Sequence, residues 1–356
     1  MIVREATAVD WPEVADFFLT TPLEAGTAFV LDRRPDFGAL PGLRGEFRTF
    51  LVFQGKRLAG TVTALWHAGR DGAHSIKVGE LIDFRVASWA RGGRASIHLL
   101  RAVNAVFAAE RVDWIVCLIG KQNQAAIPLV AKRAGLPRLA PLEDFASVHF
   151  MAWRVPPILG SAGIKVRVAE ASDAALVIKL CGSALDSERF APVEPIEWPD
   201  PSGRHRAWIA VDPDGSPCGV LLLWDGELAR RIRIVRYRTA DLPVRMIAGI
   251  AARCGLAVPL PPPGGVLGIW ASRVVVIRRG GGDTLRALLG AALSAAAAAG
   301  RNVVQLNLHR NDTLLDELPP YPRSTYWSTL FGAPCRASPV PLKPFTERHH
   351  ADLARA

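Results

Sequence analysis

The sequence ELIDFRVASWARGGRASIHLL (residues 80–100) joins an apolar segment to a glycine turn with arginines and then to a stretch of helical periodicity. The apolar residues after the turn recur at the spacing of one helix face, at Ile97, Leu100, Val103 and Phe107. This pattern predicts a strand, a tight turn at Arg91-Gly92-Gly93 and a helix. The first N–H groups of a helix have no partner within it and the helix dipole is positive there, so such a turn attracts phosphate groups.

The segments around this motif predict an α/β fold with a mixed sheet. Strands and helices alternate through the first half of the chain, and the glycine turn lies in the middle of this order. The expected elements are a helix at residues 11–20, a hairpin at 48–67, a strand at 77–87, a helix at 94–109, a strand at 113–120, a helix at 124–134 and a strand at 147–155.

The second half of the chain repeats this order. VREATAVD (residues 3–10) has an echo in VRVAEASDAA (residues 166–175), and a second glycine turn occurs in RRGGGDTLRALL (residues 278–289). An extra helix is predicted near residues 242–254, before a proline-rich loop.

Two landmarks give the repeat a single spacing. Arg279 follows Arg91 by 188 residues, and Asn311 follows Asn123 by the same 188. The N-terminal echo is spaced by only 163 residues, and the extra helix and proline loop supply the difference. The common spacing predicts a duplication.

The length of the chain agrees with two domains, since 356 residues exceed the size at which one core stops growing. The segment between the repeats contains prolines and glycines, which are typical of a linker. The predicted divisions are a first domain at 1–155, a linker at 156–164, a second domain at 165–345 and a tail at 346–356.

The glycine turn resembles the cofactor motif of the GCN5-related N-acetyltransferases (GNAT), which runs V-x-P-x-x-R-G-x-G-x-G, then two residues and Leu-Leu. The matching residues are Val86, Arg91, Gly92, Leu99 and Leu100. Ser88 replaces the proline, and Arg94 and Ser96 stand where glycines are usual. NQAAIPLVAKRAGL (residues 123–136) is similar to the later signature of the family, so the resemblance covers nearly all of the first 155 residues.

The resemblance implies two tandem GNAT-like domains that use acetyl-CoA, or another acyl-CoA, to acylate an amine. The better-formed cofactor site would then comprise Phe84, Arg85, Val86, Arg91, Gly92, Gly93, Arg94, Ala95, Ser96 and, on the pantetheine arm, Asn123. The corresponding residues of a possible second site would be Arg279, Gly280, Gly281, Gly282, Asp283, Thr284, Asn311 and Tyr326.

The catalytic candidates are the carboxylates on the strand before the turn, because acyl transfer requires the amine to lose a proton. Glu80 and Asp83 lie on that strand. They lie three positions apart, so regular alternation places them on opposite faces, with at most one facing the substrate. By the family pattern Glu80 is the better base. The tyrosine that usually serves as acid is replaced by Val130 or Ala131.

Composition limits the other classes of function. The net charge is +10, but the arginines are spread along the chain, so nucleic acid is not favoured as a partner. Five widely spaced cysteines and histidines without ligand spacing indicate a reducing, cytoplasmic compartment and no metal site. The sequence contains no run of about 18 apolar residues, so a membrane span is not expected.

The leading hypothesis is an N-acetyltransferase with a small-molecule or peptide amine as acceptor. Two alternatives remain. One is a Fem-type aminoacyl-tRNA-dependent peptidyltransferase, which also pairs two domains of this fold. The other is a pseudo-enzyme that binds CoA or a partner without catalysis, as the missing tyrosine would allow. The acceptor, the oligomeric state and the acyl chain length are not fixed by the sequence.

Overall fold

The computed structural model describes residues 1–25, 27–72, 74–132, 136–154, 163–194, 196–200, 202–227, 229–335 and 348–354. All but the last two residues of the predicted linker at 156–164 lie outside these ranges, as do the first two and last two residues of the predicted tail.

The first half begins with a strand and a helix, α1, whose start and end agree with the sequence prediction. Pro12 lies in the first turn of α1, where a missing N–H is tolerated. Val14, Ala15, Phe17 and Phe18 form its buried face. The elements of this half are β1 (Ile2–Glu5), α1 (Trp11–Thr20), β2 (Leu23–Ala25), β3 (Thr27–Asp32), α2 (Ala39–Gly42), β4 (Glu46–Gln54), β5 (Arg57–Asp71), β6 (His74–Val86), α3 (Ala95–Ala109), β7 (Trp114–Gly120), α4 (Ile127–Lys132) and β8 (Ala140–Met151).

The second half contains a counterpart for most of these elements. Its elements are β9 (Lys165–Val168), α5 (Ala174–Leu185), β10 (His205–Val211), β11 (Pro217–Asp225), β12 (Arg231–Arg236), α6 (Leu242–Arg253), β13 (Val266–Leu267), β14 (Ile269–Ile277), α7 (Gly281–Ala298), β15 (Val303–His309) and β16 (Arg323–Pro334). The last helix that the repeated order leads us to expect, after β15, is only a single 3-10 turn, Thr313–Leu315.

The duplication is visible in matching ion pairs that follow β1 and β9. Arg4 forms a two-armed ion pair with Asp10, and Arg167 forms the same pair with Asp173. Each aspartate also accepts a hydrogen bond of 2.8 Å from the N–H group three residues before it. The two turns therefore share one capping arrangement.

The main sheet has twelve strands in the order β1-β4-β5-β6-β7-β16-β8-β15-β14-β11-β10-β9. Read inward from its two edges, the order is the same for both halves, except that the last strands are exchanged. β16 pairs with β7 of the first half, and β8 pairs with β15 of the second. The halves are therefore joined through the centre of one continuous sheet.

A second, four-stranded sheet also crosses between the halves, in the order β13-β12-β3-β2. In its antiparallel centre Leu31 of β3 lies opposite Ile232 of β12. Neither β3 nor β12 was predicted from the sequence.

The two long helices α3 and α7 cover the same face of the main sheet. Leu99, Leu100 and Val103 of α3 are buried in one core, and Leu285, Leu289 and Leu293 of α7 are buried in another. Burial of each leucine contributes about 1.5–3 kcal/mol. Among the helices that the structure describes, none has the length and apolar content to cross a bilayer.

Candidate functional site

The central feature is a cleft between β6 and β7. These parallel strands pair at Val78 with Trp114, at Gly79 with Ile115 and at Glu80 with Val116, and their pairing ends there. β6 continues for six more residues to Val86, whereas the other edge of β7 is bonded to β16. Glu80 therefore lies at the apex of a V-shaped opening.

A β-bulge shapes the wall of this cleft. The register of β5 against β6 shifts between Thr61 and Thr63, and Asp83 has a φ of 57°, in the left-handed region. Aspartate tolerates this conformation better than most residues. The bulge interrupts the alternation of side chains along β6.

Glu80 is held by two basic partners. Arg44 donates a hydrogen bond to its Oε2, and His67 Nε2 lies 3.1 Å from its Oε1. Burial raises the pKa of Glu80, but Arg44 and His67 more than offset this and lower it to about 2. Burial lowers the pKa of His67, yet its hydrogen bond to Glu80 leaves that pKa above its usual value. Glu80 is thus ionised over the physiological range.

Asp83 has a different environment. Both its oxygens accept hydrogen bonds from Arg33, at 2.6 and 2.7 Å, and the side chains are only 6% and 2% exposed. The Arg33 guanidinium also lies 4.9 Å from the centre of the Phe37 ring. Asp83 is therefore committed to a buried ion pair that fixes the bulge to the residues after β3.

The charges of both carboxylates act on Arg44, although the sequence led to the expectation that they point to opposite faces. Burial lowers the pKa of Arg44, but Glu80, Asp352 and Asp83 together raise it above its ordinary value. The bulge at Asp83 breaks the regular alternation on which the expectation rested.

The turn after β6 is exposed. Arg91, Gly92, Gly93 and Arg94 are all accessible, and α3 begins at the buried Ala95. Gly92 has a φ of 77°, and a Cβ there would meet no atom within 4 Å. At the start of α3, the N–H of His98 donates a hydrogen bond of 3.0 Å to the carbonyl of Arg94. The N–H groups of the preceding helical residues, including the half-buried Ser96, are therefore directed toward the turn.

Three predicted cofactor residues before the turn have structural contacts. Phe84 and Val86 pack against the core beneath α3. Arg85 is buried, donates a hydrogen bond of 2.6 Å to the carbonyl of Thr21, and stacks on the Phe18 ring. Burial lowers the pKa of Arg85 to about 10. Its guanidinium is bonded at the end of α1 and is thereby directed away from the turn.

Asn123 lies beyond the opposite wall of the cleft. It follows β7, is exposed, and bonds its N–H to the carbonyl of Gly120 at 2.8 Å. The structure thus places the turn at the end of one cleft strand and Asn123 after the other.

The equivalent turn of the second half is filled by its own side chains. Gly280 and Gly281 have φ values of 75° and 42°. A carboxylate oxygen of Glu317 lies 2.6 Å from the position of a Cβ on Gly281. Thr284 is buried and bonds the carbonyl of Arg279. An anion is therefore already present at the start of α7.

Other groups oppose a phosphate at this second turn. Arg279 lies 3.9 Å from both Asp212 and Asp214, so its charge is shared with two carboxylates, and Asp283 follows in the first turn of α7. The cleft between β14 and β15 opens after Ala271, but Asn307 bridges it with two hydrogen bonds of 2.8 Å to Ser272.

Comparison with known proteins supports the fold. No family model and no curated protein matches the sequence. Saccharomyces cerevisiae N-myristoyltransferase with bound myristoyl-CoA matches in two crystal structures. The TM-scores are 0.60 and 0.58 at 12% identity, covering 95% and 93% of this chain and 80% and 82% of that one. A GCN5-related N-acetyltransferase from Anabaena variabilis matches with a TM-score of 0.50 at 10% identity, covering 93% and 72%.

The chain has a duplicated GNAT fold. This conclusion rests on the likeness over nearly the whole chain and on the symmetric order of the strands. At these identities the likeness establishes the fold alone.

The structure also locates Tyr326 and Asn311, two residues of the predicted second site. Tyr326 pairs with Ser147 on β8 and packs on the ring of His149, at 5.0 Å between ring centres. The alternate residues of β8 pack beneath α7, so Tyr326 lies on the opposite face. Asn311 lines a surface pocket of about 500 Å3 with Arg310, Arg323 and Trp327, and the glycine turn is not among its lining residues.

Residues 348–354 pack into the core of this fold, and sequence reasoning did not predict their packing. His349 is fully buried and donates its N–H to Glu143 at 2.6 Å, while Leu353 and Ala354 are also buried. Asp352 lies 3.8 Å from Arg273 and acts on the pKa of Arg44. Residues 348–354, predicted as part of a tail, therefore contact both halves, through Glu143 of the first and Arg273 of the second.

Arg44 and His67 are the other residues that sequence reasoning missed. They come from the turn after α2 and from β5, and only the fold brings them to Glu80. In the sequence, each was marked only as a basic side chain among uncharged neighbours, in residues 37–45 for Arg44 and residues 58–69 for His67.

Proposed function

We propose that this protein is an acyl-CoA-dependent N-acyltransferase that binds its acyl-CoA in the first-half cleft. The observation that carries the proposal is the arrangement of the two ends of this cleft. A half-buried, ionised carboxylate, Glu80, lies at the apex, and an exposed turn with Arg91 and Arg94 opens at the start of α3.

The spacing of these ends suits the cofactor. Six residues of β6 extend from Glu80 to the end of the strand, which corresponds to roughly 20 Å at about 3.3 Å per residue. This length is comparable with an extended pantetheine arm. The pyrophosphate would bind at Arg91, Gly92, Gly93 and Arg94, and the arm would run between β6 and Asn123 with its thioester near Glu80.

Transfer would proceed by direct attack. The amine nitrogen forms a bond to the thioester carbonyl carbon, the C–S bond breaks, and CoA leaves as the thiolate. The ionised Glu80 attracts the acceptor in its ammonium form and holds it near the thioester, and the ammonium releases one proton to water so that the neutral amine, with a free electron pair, attacks. A carboxylate of such low pKa is a weak base, so it accepts the proton, through water, once the new C–N bond has made that proton acidic. Asp83 would act as a positioning residue that fixes the bulge.

The position expected for a general acid carries no hydroxyl group. Val130 is buried in the core, and it stands near the place of the tyrosine in the sequence pattern. We propose that the CoA thiolate is protonated by solvent. Acetyl is the proposed acyl group, and myristoyl is the second choice because the similar yeast structures contain myristoyl-CoA.

One observation favours a second candidate function, a CoA-binding protein without activity. Both oxygens of Glu80 already have partners, Arg44 and His67. A carboxylate held in this way could be structural, and turnover measurements separate the two candidates.

Binding and turnover of the purified protein test the proposal. Acetyl-CoA and myristoyl-CoA are added separately, and we expect at least one to raise the melting temperature. Arg91→Glu should abolish the rise, whereas the matched variant Arg279→Glu in the second half should retain it. No rise with either ligand at millimolar concentration would refute the cofactor assignment. Glu80→Gln should bind CoA normally but turn over more slowly, and unchanged turnover would remove Glu80 from the mechanism.

A further inference from the structure

The helix α6 has an inverted distribution of side chains. Helices of soluble proteins place their large aliphatic residues toward the core. In α6 the buried residues are the small Ala248 and Ala251, whereas Met246 is 64% exposed and Ile250 is 54% exposed. Positions 242, 246, 250 and 247 lie on one side of a helix with 3.6 residues per turn. The outward face of α6 is therefore its apolar face.

The same region holds a large share of the exposed aliphatic surface. Among the described residues, fourteen large hydrophobic side chains are exposed, and seven of them lie between positions 235 and 256. These seven are Val235, Leu242, Val244, Met246, Ile247, Ile250 and Leu256. Scattered exposed aliphatics need no explanation, but a cluster of this kind marks an interaction surface.

The charges around this cluster have one sign. Residues 230–265 contain seven arginines, one aspartate and no glutamate or lysine. The aspartate, Asp241, is bonded to Thr27 at 2.6 Å and to Arg238 at 3.0 Å. Arg236, at the end of β12, and Arg253, the last residue of α6, are both exposed. The surface therefore combines aliphatic side chains with a positive rim.

We propose that α6 docks the protein on a membrane surface that contains anionic lipids. An amphipathic helix with an apolar face and basic edges binds in the plane of the interface, where its aliphatic side chains enter the acyl boundary and its arginines meet the headgroups. The twelve residues of α6 span about 18 Å, which is too short to cross about 30 Å of hydrocarbon. The helix lies on the membrane and does not cross it.

The attachment of α6 gives this docking a fixed orientation. The bond between Asp241 and Thr27 joins the start of α6 to β3, and Ala248 and Ala251 are buried against the protein. The aliphatic face is thus presented by a helix that is already ordered, so binding requires no folding of the segment.

Vesicle flotation with the full chain tests the proposal. The probes are vesicles of phosphatidylcholine alone and vesicles that also contain phosphatidylserine. We expect the protein to float with the anionic vesicles only, and to be released by salt, because each arginine near an anionic surface contributes about fivefold to the affinity.

Matched double variants identify the surface. Met246→Glu with Ile250→Glu should lower vesicle binding by about tenfold or more, since it removes two apolar anchors and adds two negative charges. Val9→Glu with Val168→Glu alters two aliphatic residues, 89% and 59% exposed, at other sites, and should bind as the wild type does. Circular dichroism and melting temperature confirm that both variants fold.

Three results would overturn the inference. The first is failure of the folded wild type to float with anionic vesicles. The second is equal loss of binding in the two double variants. The third is a wild-type dimer that the α6 variant converts to a monomer while vesicle binding is unchanged, which would assign the apolar face to a second copy of the chain.

Discussion

Glu317 places a carboxylate oxygen 2.6 Å from the point where a Cβ on Gly281 would stand. The equivalent turn of the first half has no carboxylate there: a Cβ on Gly92 would meet no atom within 4 Å, and a Cβ on Gly93, the counterpart of Gly281, would be nearest to the carbonyl oxygen of Ala90 at 3.3 Å. The two halves of the duplicated fold therefore differ at the place where a phosphate would bind. One turn is open, and the other already holds an anion of the protein.

This difference predicts unequal effects of alanine at the two glycines. Both have a positive φ, so each substitution should destabilise the protein by about 1–2 kcal/mol through backbone strain. Gly281→Ala should cost more than Gly92→Ala because it also displaces Glu317. Denaturation midpoints measure both variants, and Gly281→Ala with Glu317→Ala should recover part of the difference. Equal losses without recovery would contradict the contact.

The buried pair of Arg33 and Asp83 predicts a loss of stability when one partner is removed. Arg33→Met leaves Asp83 with an uncompensated buried charge, and we expect a loss of about 3–5 kcal/mol in the free energy of unfolding. Asp83→Asn in the same chain should restore part of it, since asparagine tolerates the left-handed backbone at this position. Urea denaturation of both proteins checks this, and equal stability of the single and double variants would argue against the pair.

His309 predicts a dependence of stability on alkaline pH. Burial lowers its pKa, but hydrogen bonds to Glu143 and Glu188 more than offset this and raise the pKa to about 9. A raised pKa in the folded state gives stability that is complete below about pH 6.5, the unfolded value, and is lost as the pH rises through about 9.

Amide hydrogen exchange at His349 measures this effect, because its N–H is bonded to the same Glu143. Protection should decrease between about pH 6.5 and 9 more than the intrinsic exchange rate explains. His309→Gln should remove the extra decrease. A variant with the wild-type profile would show that another group titrates.

The low pKa of Glu80 predicts the form of the pH–rate profile if the proposed function is correct. Glu80 remains ionised far below neutral pH, with its pKa lowered to about 2. Its own protonation should therefore cause no loss of turnover between about pH 5 and 8. His67→Gln removes one of the interactions that lower this pKa, so an acidic limb should move toward neutral pH. Turnover is measured against pH for the wild type and for His67→Gln. An acidic limb at the same pH in both proteins would exclude a contribution of His67 to the pKa of Glu80.

The features that follow from local patterns were predictable. The start of α1 has a proline in its first turn and α3 carries a long apolar face, so the predicted helices at 11–20 and 94–109 agree with the structure within one residue. The glycine turns and the 188-residue spacing were also visible, since they depend only on residues near each other in sequence.

Features that depend on distant partners were missed. β8 begins at Ala140. The predicted strand began only at residue 147, because Glu143 and Asp144 interrupt the apolar pattern of the sequence. In the fold, Glu143 is bonded to His309 and His349, and Asp144 to Lys121. Buried acids with remote partners look like loop residues in a sequence. The partners of Glu80 were hidden for the same reason.

The exchange of β8 and β16 makes the assembly of the molecule depend on its last elements. β7 lacks its neighbour β16 until residues 323–334 have been synthesised. Until then, one side of β7 is an unpaired strand edge, at a place that lies inside the finished twelve-stranded sheet. Contacts of such large sequence separation form slowly. A nascent chain, or a fragment ending near residue 155, would present that edge to other chains. A chaperone that shields strand edges should therefore raise the yield of this protein more than the yield of a two-domain protein whose last strands are not exchanged.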